Sequence, residues 1–213
     1  MRTKSLLLAA AISVAGALSS SAQSTNVYSV NAVGYVNVEI PNGFSMIANP
    51  LFGSNNSVSN LFKSVPDQTV IYIYNTASST YIGNPFEFGA WANPTQTLTP
   101  GQGFFIFNPS LKYTNSFVGD VPQGSLTNNL ANGFTLTASQ VPQAGGIQSL
   151  LGFVPGEGDT VYQFNGATYA SRSFEFGSWG GGIEPSLKVA EGIFLFNASG
   201  SPKKWIRAFT ANN

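Results

Sequence analysis

The chain has 213 residues, of which 43% are hydrophobic and only 8% are charged; its formal net charge is zero, and it contains no histidine and no cysteine. Nucleic acids and anionic membranes are recognised by clustered Lys and Arg, so neither is expected as a partner. A chain without His and Cys forms no disulfide, no Ser-His-Asp triad, no thiol nucleophile and no ordinary zinc or copper site. The charged fraction is far below the usual ~25%, which predicts a polar but uncharged surface.

The N-terminus has the three parts of an export signal. Arg2 and Lys4 form a basic start, the run from Leu6 to Leu18 is apolar, and Ser20-Ser21-Ala22 supplies small residues before a cut. The apolar run is shorter than the ~20 residues that cross a bilayer, so the alternative is a buried helix and no membrane span is expected. We predict that residues 1–22 are a signal peptide and that the protein is secreted, to the outside of the cell or to the periplasm.

The first strands are predicted by alternation of apolar and polar residues. The pattern runs from Val36 to Ile40 and again from Phe44 to Ala48, with Asn42-Gly43 between them. Asn and Gly accept positive φ at little energetic cost, so the stretch predicts a β-hairpin. Residues 132–138 repeat the turn and the second strand.

One short helical turn is predicted in each half of the chain. Apolar residues there are spaced i, i+3, i+4, which is the spacing of one helix face. These residues are Val58, Leu61 and Phe62 in the first half and Ile147, Leu150 and Leu151 in the second.

The remaining strands differ in how many of their faces are apolar. From Thr69 to Asn75, Tyr72 and Tyr74 share one face, and the isoleucines share the other. By contrast, Phe104 to Phe107 and Ile193 to Phe196 are apolar on both faces. A strand of that kind lies in the centre of a sheet and is covered from both sides. The fold is therefore predicted to be layered or barrel-like.

The clearest feature of the sequence is an internal duplication. The hexapeptide Phe86–Trp91, Phe-Glu-Phe-Gly-Ala-Trp, returns at Phe174–Trp179 with Ser in place of Ala. Other matches fall at offsets of roughly 90 residues, so one unit is used twice. The fold class is predicted to be all-β, with two tandem repeats, residues 23–119 and 120–213, packed about a pseudo-twofold axis as a sandwich or barrel pair with one helical turn each.

Several strings carry a resemblance to a known group of proteins. They are Asn31-Ala32-Val33-Gly34-Tyr35, the segment 117–128 with its Gly-Asp-Val-Pro-Gln-Gly turn, and the segments 133–143 and 158–162. Together they resemble uncharacterised secreted β-rich two-repeat proteins of environmental bacteria over nearly the whole mature chain. The group has no assigned activity, so the resemblance implies export and duplication and supplies no catalytic residue.

The twin hexapeptides contain the candidate site residues. Glu87 and Glu175 are equivalent, and a twofold axis could bring them together as the carboxylate pair of a glycosidase. Duplication tends to give two equal environments, whereas glycosidases need unequal ones, so no catalytic residue is predicted. Trp91 and Trp179 could stack on sugar rings beside the two acids, or they could anchor the core. In an extended segment both phenylalanines of each hexapeptide would enter the core.

No metal site and no cofactor are predicted. The loop Gly156-Glu157-Gly158-Asp159 has oxygen ligands, but it lacks the acidic spacing of an EF-hand and is read as a polar turn. The sequence leaves two functions open. The first is a non-enzymatic surface, matrix or adhesion protein that contacts glycans or other surface proteins. The second is a glycan- or small-ligand-binding module that uses the hexapeptides.

Overall fold

Strands make up most of the computed structural model, which describes residues 32–211. The predicted signal peptide, residues 1–22, lies outside the described residues. The first half contains strands β1 Val33–Ile40, β2 Gly43–Ala48, β3 Val70–Asn75, β4 Thr80–Glu87, β5 Ala90–Trp91, β6 Gly103–Asn108 and β7 Tyr113–Asp120, and helix α1 Val58–Leu61. The second half contains β8 Gly124–Leu130, β9 Gly133–Ala138, β10 Gly145–Gly146, β11 Thr160–Phe164, β12 Tyr169–Glu175, β13 Ser178–Trp179, β14 Ser186–Leu187, β15 Gly192–Asn197 and β16 Lys203–Phe209, and a 3-10 turn at Gly180–Gly182.

Each half contributes one five-stranded antiparallel sheet. The first has the order β2-β6-β3-β4-β5, and the second has the order β9-β15-β11-β12-β13. The doubly apolar strands β6 and β15 occupy the same place in the two sheets, one strand in from an edge, and are buried almost throughout. The sheets of the described residues are open and not closed into barrels. The all-β prediction is confirmed, and the arrangement is sandwich-like.

The predicted β-hairpin at Asn42-Gly43 is wrong. Strand β1 pairs with β7 in a separate ribbon, whereas β2 pairs with β6, so the turn carries the chain from one sheet to another. A two-residue hairpin turn of the Asn-Gly type needs positive φ at both residues, but here only Gly43 has it. The side chain of Asn108 fixes this corner by donating to the carbonyls of Ile40 and Pro41. In the second half β8 likewise pairs with β16 instead of β9.

The predicted helical turns differ between the halves. The first is present as α1, but residues 147–151 form a hydrogen-bonded turn and not a helix. In that turn the carbonyl of Gly146 accepts from the N–H groups of Leu150 and Leu151 at 3.1 and 2.9 Å. Gly145 and Gly146 are poor helix formers and pair instead with β14, which explains the difference.

The apolar core consists of three clusters. One is built from first-half residues around Phe62, Phe104 and Phe117, and a second is built from second-half residues around Phe153 and Trp205. The third is shared: it joins Met46 and Phe105 of the first half to Leu136 and Phe194 of the second. The shared cluster lies where β6 and β15 meet, and it positions the aromatic surface described below.

Candidate functional site

Each hexapeptide forms a tight hairpin tip. In the first, Phe86 pairs with Trp91 and Glu87 with Ala90, which leaves Phe88 and Gly89 as a two-residue loop. Both loop residues have positive φ, 52° and 81°, as a type I′ turn requires. The second hexapeptide repeats this geometry, with φ of 53° at Phe176 and 74° at Gly177.

The second phenylalanine of each hexapeptide points into solvent. Phe88 is 97% exposed and Phe176 is 96% exposed. The expectation that both phenylalanines enter the core is therefore wrong. Because the turn begins at Phe88 and not at Gly89, strand alternation ends one residue earlier than the sequence indicated. Only Phe86 and Phe174 pack inward, each against the tryptophan of its own hexapeptide at ring-centroid distances of 5.3 and 5.4 Å.

The two candidate tryptophans are buried in different core clusters. Trp91 is 6% exposed and donates from Nε1 to the carbonyl of Phe62 at 3.1 Å. Trp179 is 5% exposed and donates from Nε1 to Oε1 of Gln148 at 2.9 Å. Both indoles therefore leave little surface that a ligand could contact. Their burial favours a role as core anchors.

The two candidate glutamates lie at the exposed ends of separate hairpins. Glu87 is on the first sheet and Glu175 is on the second, so each carboxylate faces solvent beside its own tip. The acid that ties down the second tip is Glu157, a residue that sequence reasoning considered only as a cation ligand. Its carboxylate accepts hydrogen bonds from the N–H groups of Phe176 and Gly177 at 2.8 and 2.9 Å.

The other acid of that loop has a structural role. Asp159 is buried, pairs with Lys203, and accepts from the N–H groups of Gly156 and Ala198 at 2.8 and 3.0 Å. Both carboxylates of the loop are therefore engaged within the protein. Within the part of the chain that the structure describes, His, Cys, Asp and Glu side chains do not gather in groups of three or more that could hold a metal ion.

The two halves meet through reciprocal backbone contacts. The N–H of Ala48 donates to the carbonyl of Ala190 at 2.9 Å, and the equivalent N–H of Ala138 donates to the carbonyl of Gly101 at 3.0 Å. Glycines at the starts of β6 and β15 make this approach possible. A Cβ on Gly103 would lie 2.8 Å from a backbone oxygen of β9, and a Cβ on Gly192 would lie 2.9 Å from one of β2. Residues larger than glycine would push the halves apart.

Beside this junction lie two open cavities lined entirely by aromatic side chains. The first aromatic cleft has a volume of about 390 Å³ and is lined by Phe44, Tyr72, Tyr81, Phe105, Phe164 and Tyr169. The second aromatic cleft has a volume of about 320 Å³ and is lined by Tyr74, Tyr81, Phe134, Tyr162, Tyr169 and Phe194. Each cleft takes residues from both halves, and the two lining sets occupy matching positions in the sequence alignment of the halves.

The ring geometry of the two clefts is also reciprocal. Phe44 and Phe105 are 6.4 Å apart at 84°, and their counterparts Phe134 and Phe194 are 6.0 Å apart at 86°. Rings from opposite halves meet in the same way. Phe105 lies 5.4 Å from Phe164 at 79°, and Phe194 lies 5.0 Å from Tyr74 at 89°. Edge-to-face packing of this kind is a favourable arrangement for aromatic rings.

Tyr81 and Tyr169 are shared by both clefts and are the lining residues most open to solvent, at 46% and 45%. Partial burial, followed by the neighbouring Tyr169 and Tyr74, raises the pKa of Tyr81 to about 12. Burial also raises the pKa of Tyr169, against a hydrogen bond from Tyr81 that lowers it. Both phenols are therefore neutral near pH 7.

Sequence reasoning did not identify the clefts as a site. It placed Tyr72 and Tyr74 on one face of a strand, which the structure confirms, since Ile71 and Ile73 pack in the first core cluster. The available signal was that aromatic residues recur at equivalent positions in both halves. Whether that face would be filled by the core or left open depends on how closely the two sheets approach each other.

In the described residues no helix is long and apolar enough to cross a membrane. Comparison with known proteins finds no matching family model, no similar curated protein and no matching solved structure.

Proposed function

We propose that this protein is a secreted, non-enzymatic binding module whose ligand sites are the two aromatic clefts. The observation that carries the proposal is that each cleft is lined by six aromatic side chains, which the internal duplication exchanges between clefts. A solvated cavity walled by rings keeps apolar surface in contact with water, and exposed apolar surface marks ligand sites. The binding site is thus moved from the hexapeptides, whose indoles are buried, to the face where Tyr81 and Tyr169 are open.

A pseudo-twofold packing of the two sequence repeats accounts for the pair of clefts. The reciprocal hydrogen bonds at Ala48 and Ala138 support it, as do the identical strand orders of the two sheets. A twofold axis between β6 and β15 would place Tyr81 next to Tyr169 and give each cleft one set of walls from each repeat. Under this proposal the duplication serves function as well as stability.

The chemistry of the lining supports binding without catalysis. Phenylalanine side chains cannot act as acids, bases or nucleophiles. The pKa of Tyr81, raised to about 12, is far above the neutral range in which a general base works best. The predicted pair Glu87 and Glu175 lies on separate hairpins, so a carboxylate-pair glycosidase has little support.

A second role, as a surface, matrix or adhesion protein, is supported by the hairpin tips. A phenylalanine at φ near +50° is conformationally unfavourable, and here the strained residue is also exposed at both Phe88 and Phe176. A strained and exposed phenylalanine costs stability, and its presence in both repeats is explained if the two rings contact surface glycans or surface proteins. The double variant Phe88→Asn/Phe176→Asn, compared with the parent by light scattering at rising concentration, tests whether the tips promote association. Equal behaviour of the two proteins would remove this role.

The ligand-binding proposal is tested by ligand-observed NMR with a library of small amines, aromatic compounds and monosaccharides. The parent is expected to bind at least one class saturably, and Tyr81→Ala is expected to weaken that binding ~tenfold because the ring lines both clefts. Tyr35→Ala is the matched control, since it removes a tyrosine ring that is 65% exposed and lies outside the clefts. If the parent binds nothing, or if both variants bind like the parent, the clefts are not the site.

A further inference from the structure

The contacting rings of both clefts are inclined to one another by 45° or more, so none of these pairs is coplanar. In the first cleft the interplanar angle is 84° between Phe44 and Phe105, 74° between Tyr81 and Phe105, and 79° between Phe105 and Phe164. Flat ligands stack on coplanar rings, so these clefts offer walls and not a platform. Walls of this kind suit a compact, rounded ligand that touches several rings at once.

The lining offers very few hydrogen-bonding groups. The only polar side-chain atoms among its lining residues are tyrosine hydroxyls. A sugar would leave several hydroxyls without partners in such a cleft, and an unsatisfied buried polar group is energetically costly. A primary ammonium is strongly hydrated and would lose three hydrogen bonds on entry.

A quaternary ammonium group avoids both penalties. It carries no N–H, so it needs no acceptor, and its positive charge is spread over methyl groups that pack like a hydrocarbon. The faces of Phe and Tyr rings are negative, so a cation that lies over a ring face, within ~6 Å of the ring centroid, is attracted to that ring. A neutral ligand of the same shape gains the apolar contact but not this attraction.

We propose that the two aromatic clefts bind quaternary ammonium compounds, with the trimethylammonium head among the rings and the remainder of the ligand in solvent. This inference rests on the proposed binding function and specifies its ligand class. The cleft volumes of about 390 and 320 Å³ are at the small end of ligand sites, in keeping with a small head group.

Charges near the clefts do not decide the preference. The cavity that adjoins the first cleft through Phe44 and Phe164 carries Glu39 and Glu191 together with Lys188. Glu39 is paired with Lys112 at 3.0 Å, and Glu191 accepts from Gln163 at 2.8 Å and from the N–H of Lys188 at 2.7 Å. The selectivity for a cation is therefore assigned to the ring faces.

The test compares choline with its uncharged carbon isostere, dimethylbutanol, by calorimetry on the intact mature protein. Choline is expected to bind at least ~tenfold more tightly. Tyr81→Leu keeps an apolar side chain but removes a ring from both clefts, so it should weaken choline binding ~fivefold or more and change dimethylbutanol binding less than ~twofold. Tyr35→Leu is the matched control, because it is the same substitution at a tyrosine that is 65% exposed and lies outside the clefts, and it should change neither.

The possible outcomes separate this inference from the function on which it rests. Equal affinity for choline and dimethylbutanol would overturn the cation preference and leave a general apolar binding site. Binding of cellobiose or methyl glucoside in place of choline would also overturn it and would keep the binding function with a different ligand class. If no member of the set and no library compound binds, both proposals fail. Tyr169→Leu removes the other ring that lines both clefts and serves as a second variant if Tyr81→Leu does not fold. Thermal melting of each variant shows whether it is folded.

Discussion

Replacement of Trp91 by Ala is the sharpest test of how the hexapeptides work. Trp91 is 6% exposed, lies in the first core cluster beside Phe62 and Phe86, and donates its indole N–H to the Phe62 carbonyl at 3.1 Å. The substitution therefore leaves a cavity and also removes the donor from a buried backbone carbonyl. Both effects destabilise the folded state.

The magnitude follows from these two effects. Truncating a buried Trp to Ala lowers the free energy of unfolding by ~3–5 kcal/mol, and an unpaired buried carbonyl moves Trp91→Ala to the upper end of that range. For a protein of this size 1 kcal/mol shifts Tm by roughly 2–4 °C, so a fall of about 10–20 °C is expected. Trp179→Ala should lower Tm less, by about 6–12 °C, because its hydrogen-bond partner Gln148 is exposed and its side chain can bond to water instead.

Thermal and urea unfolding, followed by circular dichroism, measure the change. Phe88→Ala is the control, since it removes an aromatic ring from the same hexapeptide but from a position 97% exposed, and it should shift the stability by less than ~0.5 kcal/mol. If Trp91→Ala and Trp179→Ala melt like the parent, the tryptophans are not core anchors. A fall in Tm for Phe88→Ala as large as that for Trp91→Ala would show that burial is not what matters in the hexapeptide.

Four further predictions follow from the geometry. Phe88→Asn should raise Tm by ~2–4 °C in a thermal melt, because Asn tolerates the positive φ that strains Phe, and an unchanged or lower Tm would refute strain at the tip. Asp159→Asn should lower the free energy of urea unfolding by ~3 kcal/mol because it breaks a buried ion pair, while breaking the exposed pair with Lys112→Met should lower it by less than ~1 kcal/mol. The folded-state pKa of Tyr81 is raised from 10 to about 12, so the unfolded state loses the phenol proton first as the pH rises. The stabilisation by the neutral Tyr81 phenol is therefore complete below pH 10 and is lost as the pH rises towards 12. In thermal melts at alkaline pH, a Tyr81→Phe variant should lose less stability over this range than the parent. The fragment 23–119 should aggregate or melt without cooperativity, since it would expose its side of the shared core cluster, and a soluble, cooperatively folded half would contradict that dependence.

The secondary structure could be predicted from short-range patterns. Alternation at Val36 to Ile40 and the doubly apolar runs of β6 and β15 each identified a strand, and one helical spacing identified α1. These signals succeed because a strand's two faces are set by neighbouring residues. The duplication is likewise a property of the sequence alone, and so is the exclusion of His and Cys chemistry.

The residues at the turns predicted the connections between strands less well. The Asn42-Gly43 pair has the sequence of a two-residue hairpin turn, yet it joins strands of different sheets. The tight turn with two positive φ angles instead falls at Phe88-Gly89, where a large apolar residue argues against it. In both places strand pairing overrode local preference: β2 is drawn to β6, and the burial of Trp91 opposite Phe86 fixes the tip.

Which aromatic residues are buried was decided only by tertiary structure. The hexapeptide tryptophans are buried in the core, whereas Tyr72 and Tyr74 of β3, which were expected only to share a face, line open clefts together with rings of β11. The residues alone are compatible with either outcome because Trp, Tyr and Phe are used both in cores and in the walls of binding sites. What separates the two is the distance between sheets from opposite halves, set here by Gly103 and Gly192, whose missing side chains let the backbones approach. That distance depends on residues about ninety positions apart, and no local pattern encodes it.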